Sequence, residues 1–256
     1  MKRFILGFLI ILAASVVLPA QDTLIFYYDK DWIVIPDKDQ AVYYRKAFPD
    51  KDAWGVRDYF KSGKLQMTGT YKSKKFTARQ GHFVYYFESG QKQSEGKYLN
   101  DKHEGRWTYW FENGNIKSEG SYIAGNLEGE WTYWHETGEK KSKGNFFKSN
   151  KNDSWTYWYQ NGRVEGEEKY KTGIVSSTKV YYKNGALNYE GEFLNGKKHG
   201  TWTYYNVDGR AYFSGKYVLD VKKGEWVRSF PHGNMIVNYG TAGIQEKEFG
   251  GMVRKK

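Results

Sequence analysis

The sequence predicts an all-β protein: an elongated, single-layer antiparallel sheet of about eight stacked β-hairpin repeats, with N- and C-terminal caps. Three observations carry this. A glycine that follows a Trp-x-Tyr-aromatic run recurs at Gly63, Gly90, Gly114, Gly138, Gly162, Gly185, Gly209 and Gly233, in steps of 27, 24, 24, 24, 23, 24 and 24 residues. Self-similarity at one such period marks a stacked repeat array. Within each copy, large apolar and polar residues alternate with period two, as strands do. Aromatics make up 19% of the chain, which suits a thin structure clothed in large amphipathic rings better than a thick aliphatic core.

Residues 1–20 are a different polymer. Lys2 and Arg3 precede an apolar run from Phe4 to Leu18, followed by Pro19-Ala20 and then polar Gln21-Asp22. This is the pattern of a secretory signal peptide cut after Ala20, and the run is shorter than the roughly 20 residues of a spanning helix. The chain is therefore expected to be exported, to the periplasm or surface of a Gram-negative-type cell. It has no cysteine, so neither a disulfide framework nor a lipid-bearing cysteine is available. Without Lys2 and Arg3 the formal charge falls from +11 to about +9, which suits anionic lipid or glycan and equally a solvated, charged sheet surface. An exported chain makes nucleic acid a poor candidate partner.

Residues 21–53 lack the repeat and read as the N-terminal cap, with short strands at Leu24–Tyr28 and Ala41–Tyr44. The array occupies 54–241. Its first copy, Trp54–Tyr71, is degenerate, and Lys72–Gln80 is extra chain that explains the 27-residue step. The copies GRWTYWFENGNIKSEGSY (Gly105–Tyr122), GEWTYWHETGEKKSKGNF (Gly129–Phe146) and GTWTYYNVDGRAYFSGKY (Gly200–Tyr217) are the clearest. Glu168 stands where one copy loses a glycine, and Thr178 where the next loses its leading Trp. Residues 242–256 read as the C-terminal cap and tail.

Placing Asn113-Gly114 at the centre of a tight hairpin turn puts Trp107 opposite Gly120, where a bare backbone leaves room for an indole. Trp107, Tyr109 and Phe111 then share one face with Ile116, Ser118, Gly120 and Tyr122. Thr108, Trp110, Lys117, Glu119 and Ser121 take the other. The apolar face carries a structural ladder, Trp107, Trp131, Trp155, Trp202 and Trp226, matched by the glycines Gly96, Gly120, Gly144, Gly191 and Gly215. The polar face carries the candidate binding ladder, Tyr86, Trp110, Trp134, Trp158, Tyr181 and Tyr205. On this register Trp110 faces Lys117 and Trp134 faces Lys141, as cation–π pairs. A slip of one residue would exchange the faces. A longer second turn, Asn100–Gly105, repeats at Asn195–Gly200 and joins each hairpin to the next. Two strands of about 4.8 Å per repeat make eight repeats roughly 75 Å long.

The unit G-x-W-x-Y-[YW]-x-x-x-G-x-x-x-x-x-G-x-Y-x-x-G-x-x-x-G resembles the bacterial variant of the MORN repeat, as found in proteins labelled YwqK-family antitoxin. The match is best at Gly105–Trp131 and Phe193–Trp226. Ala41–Tyr71 also looks like the region before such repeats in Gram-negative envelope proteins. The resemblance implies β-hairpin repeats that bind protein or lipid and carry no catalysis of their own. The Trp-x-Tyr-Tyr-x-x-x-Gly hairpins are similar, too, to choline- and glucan-binding repeats of surface proteins.

No catalytic constellation emerges. His82, His103, His135, His199 and His232 fall in separate repeats or turns, without the close spacing of zinc ligands. Glu104, Glu128, Glu130 and Glu225 flank turn glycines, and a flat sheet offers no cleft for paired acids. The glycines follow the repeat instead of clustering before a helix as in a phosphate loop. The expectation is a non-enzymatic module, without cofactor or metal, that serves protein interaction or scaffolding in the cell envelope. The alternatives are cell-wall carbohydrate on the aromatic ladder or anionic lipid on the basic turns. A wet aromatic face is further expected to make the sheet curl, dimerise or lie on an envelope partner.

Overall fold

The computed structural model describes residues 23–240 and the backbone of 245–253. The signal peptide expected at 1–20 and the last three residues of the tail lie outside the described residues. The strands are β1 (Leu24–Tyr28), β2 (Val34–Ile35), β3 (Tyr43–Asp50), β4 (Ala53–Phe60), β5 (Leu65–Tyr71), β6 (Gly81–Tyr86), β7 (Lys92–Leu99), β8 (Lys102–Trp110), β9 (Ile116–Ile123), β10 (Asn126–Trp134), β11 (Lys140–Phe147), β12 (Asn150–Trp158), β13 (Val164–Lys171), β14 (Ile174–Tyr181), β15 (Leu187–Leu194), β16 (Lys197–Tyr205), β17 (Ala211–Val218), β18 (Val221–Phe230), β19 (Gly233–Tyr239) and β20 (Gln245–Val253). From β3 to β20 every strand is antiparallel to the next, and β1 pairs with β3 while β2 lies outside β1. The result is one open all-β sheet of stacked hairpins, as the repeat predicts. The segments flanking the array continue this sheet. The expected strand at Ala41–Tyr44 runs instead from Tyr43 to Asp50, because all eight residues pair with β4.

The two turn types are the reverse of those the sequence suggests. Phe111 N–H donates to Asn115 O and Gly114 N–H to Phe111 O, which makes a three-residue loop with Gly114 at φ 90°. Asn113 is not left-handed, so the tight two-residue turn is not formed there. That turn occurs between hairpins. Leu99 pairs with Lys102 across Asn100 and Asp101, both at positive φ (51° and 68°). A bulge beside the three-residue loop pairs Trp110 with Ile116 instead of Lys117. It also restores the expected register further along, so Trp107 does pair with Gly120.

Backbone pairing is not where the indole goes. A Cβ added to Gly120 would meet Trp131 at 2.2 Å, and one added to Gly96 would meet Trp107 at 2.2 Å. Each tryptophan therefore lies on the glycine of the preceding repeat, not on its partner within its own hairpin. A second bulge causes the displacement: Lys97 pairs with Glu104 but Glu95 with Thr108, so Gly105-Arg106-Trp107 lie against Gly96 alone. Gly105, at φ 66°, supplies the left-handed step that this bulge needs. Asp153, at φ 56°, does the same where that glycine is missing.

Each indole N–H then donates to the carbonyl that follows the glycine: Trp107 to Lys97 (3.0 Å), Trp131 to Ser121 (3.1 Å), Trp155 to Asn145 (3.0 Å), Trp202 to Glu192 (3.0 Å) and Trp226 to Lys216 (3.1 Å). Edge-on rings seal the sides, with centroids at 5.0 Å for Tyr98–Trp107 and 5.1 Å for Tyr122–Trp131. This geometry adds to the area term. The five indoles are consequently only 0–2% exposed, within a single sheet. The repeat thus buries its own tryptophans, so these five rings are not the wet aromatic face the sequence suggests.

The two departures from the repeat are one event. Glu168 pairs with Trp155 on one side and with Thr178 on the other. Where the glycine has become Glu168, no indole could lie on it, and the next repeat carries Thr178 instead of Trp. Glu168 accepts from the Tyr170 hydroxyl (2.6 Å), and Lys151 Nζ donates to Tyr157 (2.6 Å) beside them. A polar cluster thus interrupts the tryptophan ladder in mid-sheet.

Candidate functional site

The structure places all six residues of the candidate ladder, Tyr86, Trp110, Trp134, Trp158, Tyr181 and Tyr205, half-buried at equivalent ends of their strands. Each stands before a three-residue turn, and at three of them, Trp134, Trp158 and Tyr181, the following residue ties its repeat to the next. His135 Nε2 lies 3.2 Å from Trp158 O, Tyr159 Oη donates to Tyr181 O (2.6 Å), and Tyr182 Oη donates to Tyr205 O (2.8 Å). These ties run forward along the chain, whereas the indole N–H bonds of the other ladder run backward. The backbone of Trp158, Tyr181 and Tyr205 is thereby tied to the preceding repeat.

Its side chains are held by charge. Tyr181 Oη donates to Glu167 (3.0 Å) and Tyr205 Oη to Glu190 (2.8 Å). Burial, reinforced by Glu167, pushes the Tyr181 phenol up to about 12. The hydrogen bond from Tyr205, followed by the Lys179 ammonium, holds Glu190 below the usual carboxylate range. The expected partners of the tryptophans are corrected. The bulge removes Lys117 from opposite Trp110 and Lys141 from opposite Trp134, which pairs with Lys140. Lys92 of the preceding hairpin takes the place over Trp110, at 5.6 Å, while Lys117 lies over Phe111 at 5.7 Å. Around the ladder, Arg106 pairs with Glu119, Lys143 with Glu130 (3.0 Å) and Lys179 with Glu190 (3.2 Å). This face therefore presents regularly spaced aromatic rings in a field of paired, largely neutralised charge.

A third row went unnoticed in the sequence. Four residues before each leading aromatic lies a side chain that covers the apolar ladder: Arg79, His103, Leu127, Lys151, Lys198 and Lys222. Lys151 lies 4.5 Å from the Trp155 ring, Lys198 4.2 Å from Trp202 and Lys222 4.8 Å from Trp226. His103 packs edge-on to Trp107 at 4.2 Å. Burial, with the Arg79 charge second, pushes its imidazole below the usual range, and burial lowers the Lys151 ammonium. The sequence signal was present as a basic residue at a fixed offset, obscured by the changing residue type. Glu104 and Glu128 also prove more than solvated turn charges, since each accepts the first amide of the next tight turn, at Ala124 (2.9 Å) and Lys148 (3.0 Å).

Fold and ladders together define a β-hairpin repeat module in which every repeat is completed by its neighbours. Three stretches, residues 79–100, 104–124 and 127–148, match the family described as MORN repeat variant. No curated protein matches the chain. Among solved structures, one described as a crystal structure of the GtfA/B complex bound to UDP and GlcNAc is similar. The likeness is at 12% identity over 43% of this chain and 22% of that one, with a TM-score of 0.21. The chain thus spans about a fifth of the length of that structure.

Proposed function

We propose that the protein is a non-enzymatic, exported interaction or scaffold module of the cell envelope, and that Tyr86, Trp110, Trp134, Trp158, Tyr181 and Tyr205 form its contact surface. One observation carries this reading. The apolar ladder is fully used in holding repeats together, whereas the six rings of the polar face stay half-exposed at equivalent strand ends, with the backbone of Trp158, Tyr181 and Tyr205 tied to the preceding repeat. Aromatic rings held in register are the groups that anchor protein partners. A polymer with a matching repeat, such as a cell-wall glycan stacking ring on ring, is the second reading, favoured by the same even spacing. The net charge of +11 keeps anionic lipid as a further binding surface.

The test is retention of envelope components on immobilised mature protein, compared with a variant carrying Trp110→Ala, Trp134→Ala and Trp158→Ala. A defined protein retained by the first and lost by the second is the expected result, once circular dichroism shows both to be folded. Equal retention by both would remove the ladder from consideration. Retention of a glycan fraction alone would favour the second reading.

A further inference from the structure

A concavity lies outside the ladders, at the N-terminal end of the sheet, where a cleft of about 460 Å³ opens between β1, β3 and the Lys72–Gln80 insertion. We propose that it is a binding site for a small ligand carrying a carboxylate on a flat ring, either an acidic sugar or an aromatic acid. Three cationic residues border it: Arg45, Lys74 and Lys75, with the Lys74 ammonium 5.6 Å from the Trp54 ring. The Arg45 side chain is only 9% exposed. It spends Nε (2.7 Å) and Nη2 (2.8 Å) on Asp58, and the rings of Tyr28, Tyr71 and Phe76 lie 5.7, 5.1 and 5.2 Å from its guanidinium carbon. Neither lysine has a carboxylate within ion-pair distance among the described residues. The one buried acid at the site is thus committed, and the cleft retains a positive surplus that a carboxylate would complement.

The walls suit a flat ring. Trp32 is 38% exposed and stacks on Tyr43 at 4.6 Å with 8° between the planes, which holds the indole upright at the cleft. Across from it the insertion carries Phe76, edge-on to Phe26 at 5.5 Å and 5.2 Å from the Arg45 guanidinium. The insertion is a built feature. Lys72 N–H donates to Ala78 O and Phe76 N–H to Ser73 O, which closes the loop over the sheet. Phe76 sits at φ 52°, a conformation that a bulky residue adopts only against strain and that concentrates at ligand clamps. A volume of this size fits one or two rings, not a protein surface.

Calorimetric titration of the full mature chain with a uronic-acid disaccharide and with phenylacetate tests the proposal. The neutral counterparts, a hexose disaccharide and phenylacetamide, serve as controls. One of the two acids should bind and identify the ring, with its neutral counterpart about tenfold or more weaker. Lys74→Glu with Lys75→Glu should weaken it by a similar factor, and Trp32→Ala should also do so. The Trp110, Trp134 and Trp158 triple variant should bind as the parent does, which separates this site from the polar-face ladder. Thermal unfolding shows each variant to be folded. Binding of neither acid at millimolar concentration, equal binding of acid and neutral forms, or an undiminished lysine variant would each overturn it.

Discussion

Replacing Gly120 by alanine tests how the repeats are joined. The new methyl would stand 2.2 Å from Trp131 Cδ2, where ordinary contact begins near 3.4 Å, so the indole must retreat by about 1 Å or more. Retreat stretches the Trp131 bond to Ser121 O (3.1 Å), a loss of about 1 kcal/mol. It also disturbs the edge-on contact with Tyr122, worth about 0.5–1.5 kcal/mol. With overpacking strain of about 1–3 kcal/mol, the expected destabilisation is about 2.5–5.5 kcal/mol. Trp131→Ala alone should cost about 3–5 kcal/mol. Once the indole is absent the methyl has nothing to strike, so the double variant should fall short of additivity by about 2 kcal/mol. Gly144, the cross-strand partner of Trp131, is the control: its methyl would meet Trp155 at 2.3 Å, so Gly144→Ala should couple with Trp155 and far less with Trp131. Urea unfolding followed by circular dichroism and tryptophan fluorescence gives all the values. Additivity of Gly120→Ala with Trp131→Ala, or stronger coupling of Trp131 to Gly144, would refute stapling between repeats.

Other outcomes follow from the same geometry. Because the His103 pKa is depressed by burial, the unfolded chain takes up its proton first on acidification. Stability should therefore rise with pH through the window ending near the ordinary value of 6.5 and be lost on acidification through it. His103→Leu, which copies Leu127 of the next repeat, should flatten that dependence in thermal unfolding between neutral and mildly acidic pH. Burial raises Tyr133 and Tyr217 to about 12. Here the folded state keeps the proton longer, so stability present below pH 10 should be lost between about 10 and 12. Phenolate absorbance should then rise together with loss of the β-sheet dichroism signal. Thr178→Trp alone should destabilise by about 1–3 kcal/mol by overpacking against Glu168, and Glu168→Gly should relieve it in the double variant if the missing glycine and the missing indole are one event.

Much of the architecture was legible because a repeat states its own period, and alternation fixes which residues share a face. The Trp107–Gly120 pairing was legible too, although the turn that led to it was drawn wrongly. The three-residue loop and the adjacent bulge each shift the register by one, in opposite senses. The destination of the indole was not legible. Period-two reasoning assigns a side chain to its cross-strand partner, and only the bulge at Gly105 redirects Trp107 onto Gly96. The lysine and histidine row escaped for a related reason: packing over a ring accepts Arg, His, Leu or Lys alike, so no single residue type holds throughout. The charge partners of Trp110 and Trp134 failed because a single bulge residue changes what lies across the strand.

The opposite directions of the two sets of ties bear on how the array behaves as a whole. Five tryptophans reach back with an indole N–H, and His135, Tyr159 and Tyr182 reach forward, so removing a repeat that makes both would leave a bare glycine on one side and an unpaired carbonyl on the other. Nearest-neighbour stability in such an array is carried by the interfaces more than by the single hairpin, since an isolated two-stranded hairpin is marginal in water. The Glu168–Thr178 step is then the one place where the tryptophan interface is replaced by a polar one, between Trp155 and Trp202. Cooperativity should be weakest there, and the sheet is expected to open first at that junction, with the flanking tryptophan-stapled blocks persisting. The polar-face rings Trp158 and Tyr181 flank the same junction but remain tied by the Tyr159 hydroxyl. The polar face is thus tied across the junction where the packing face is interrupted.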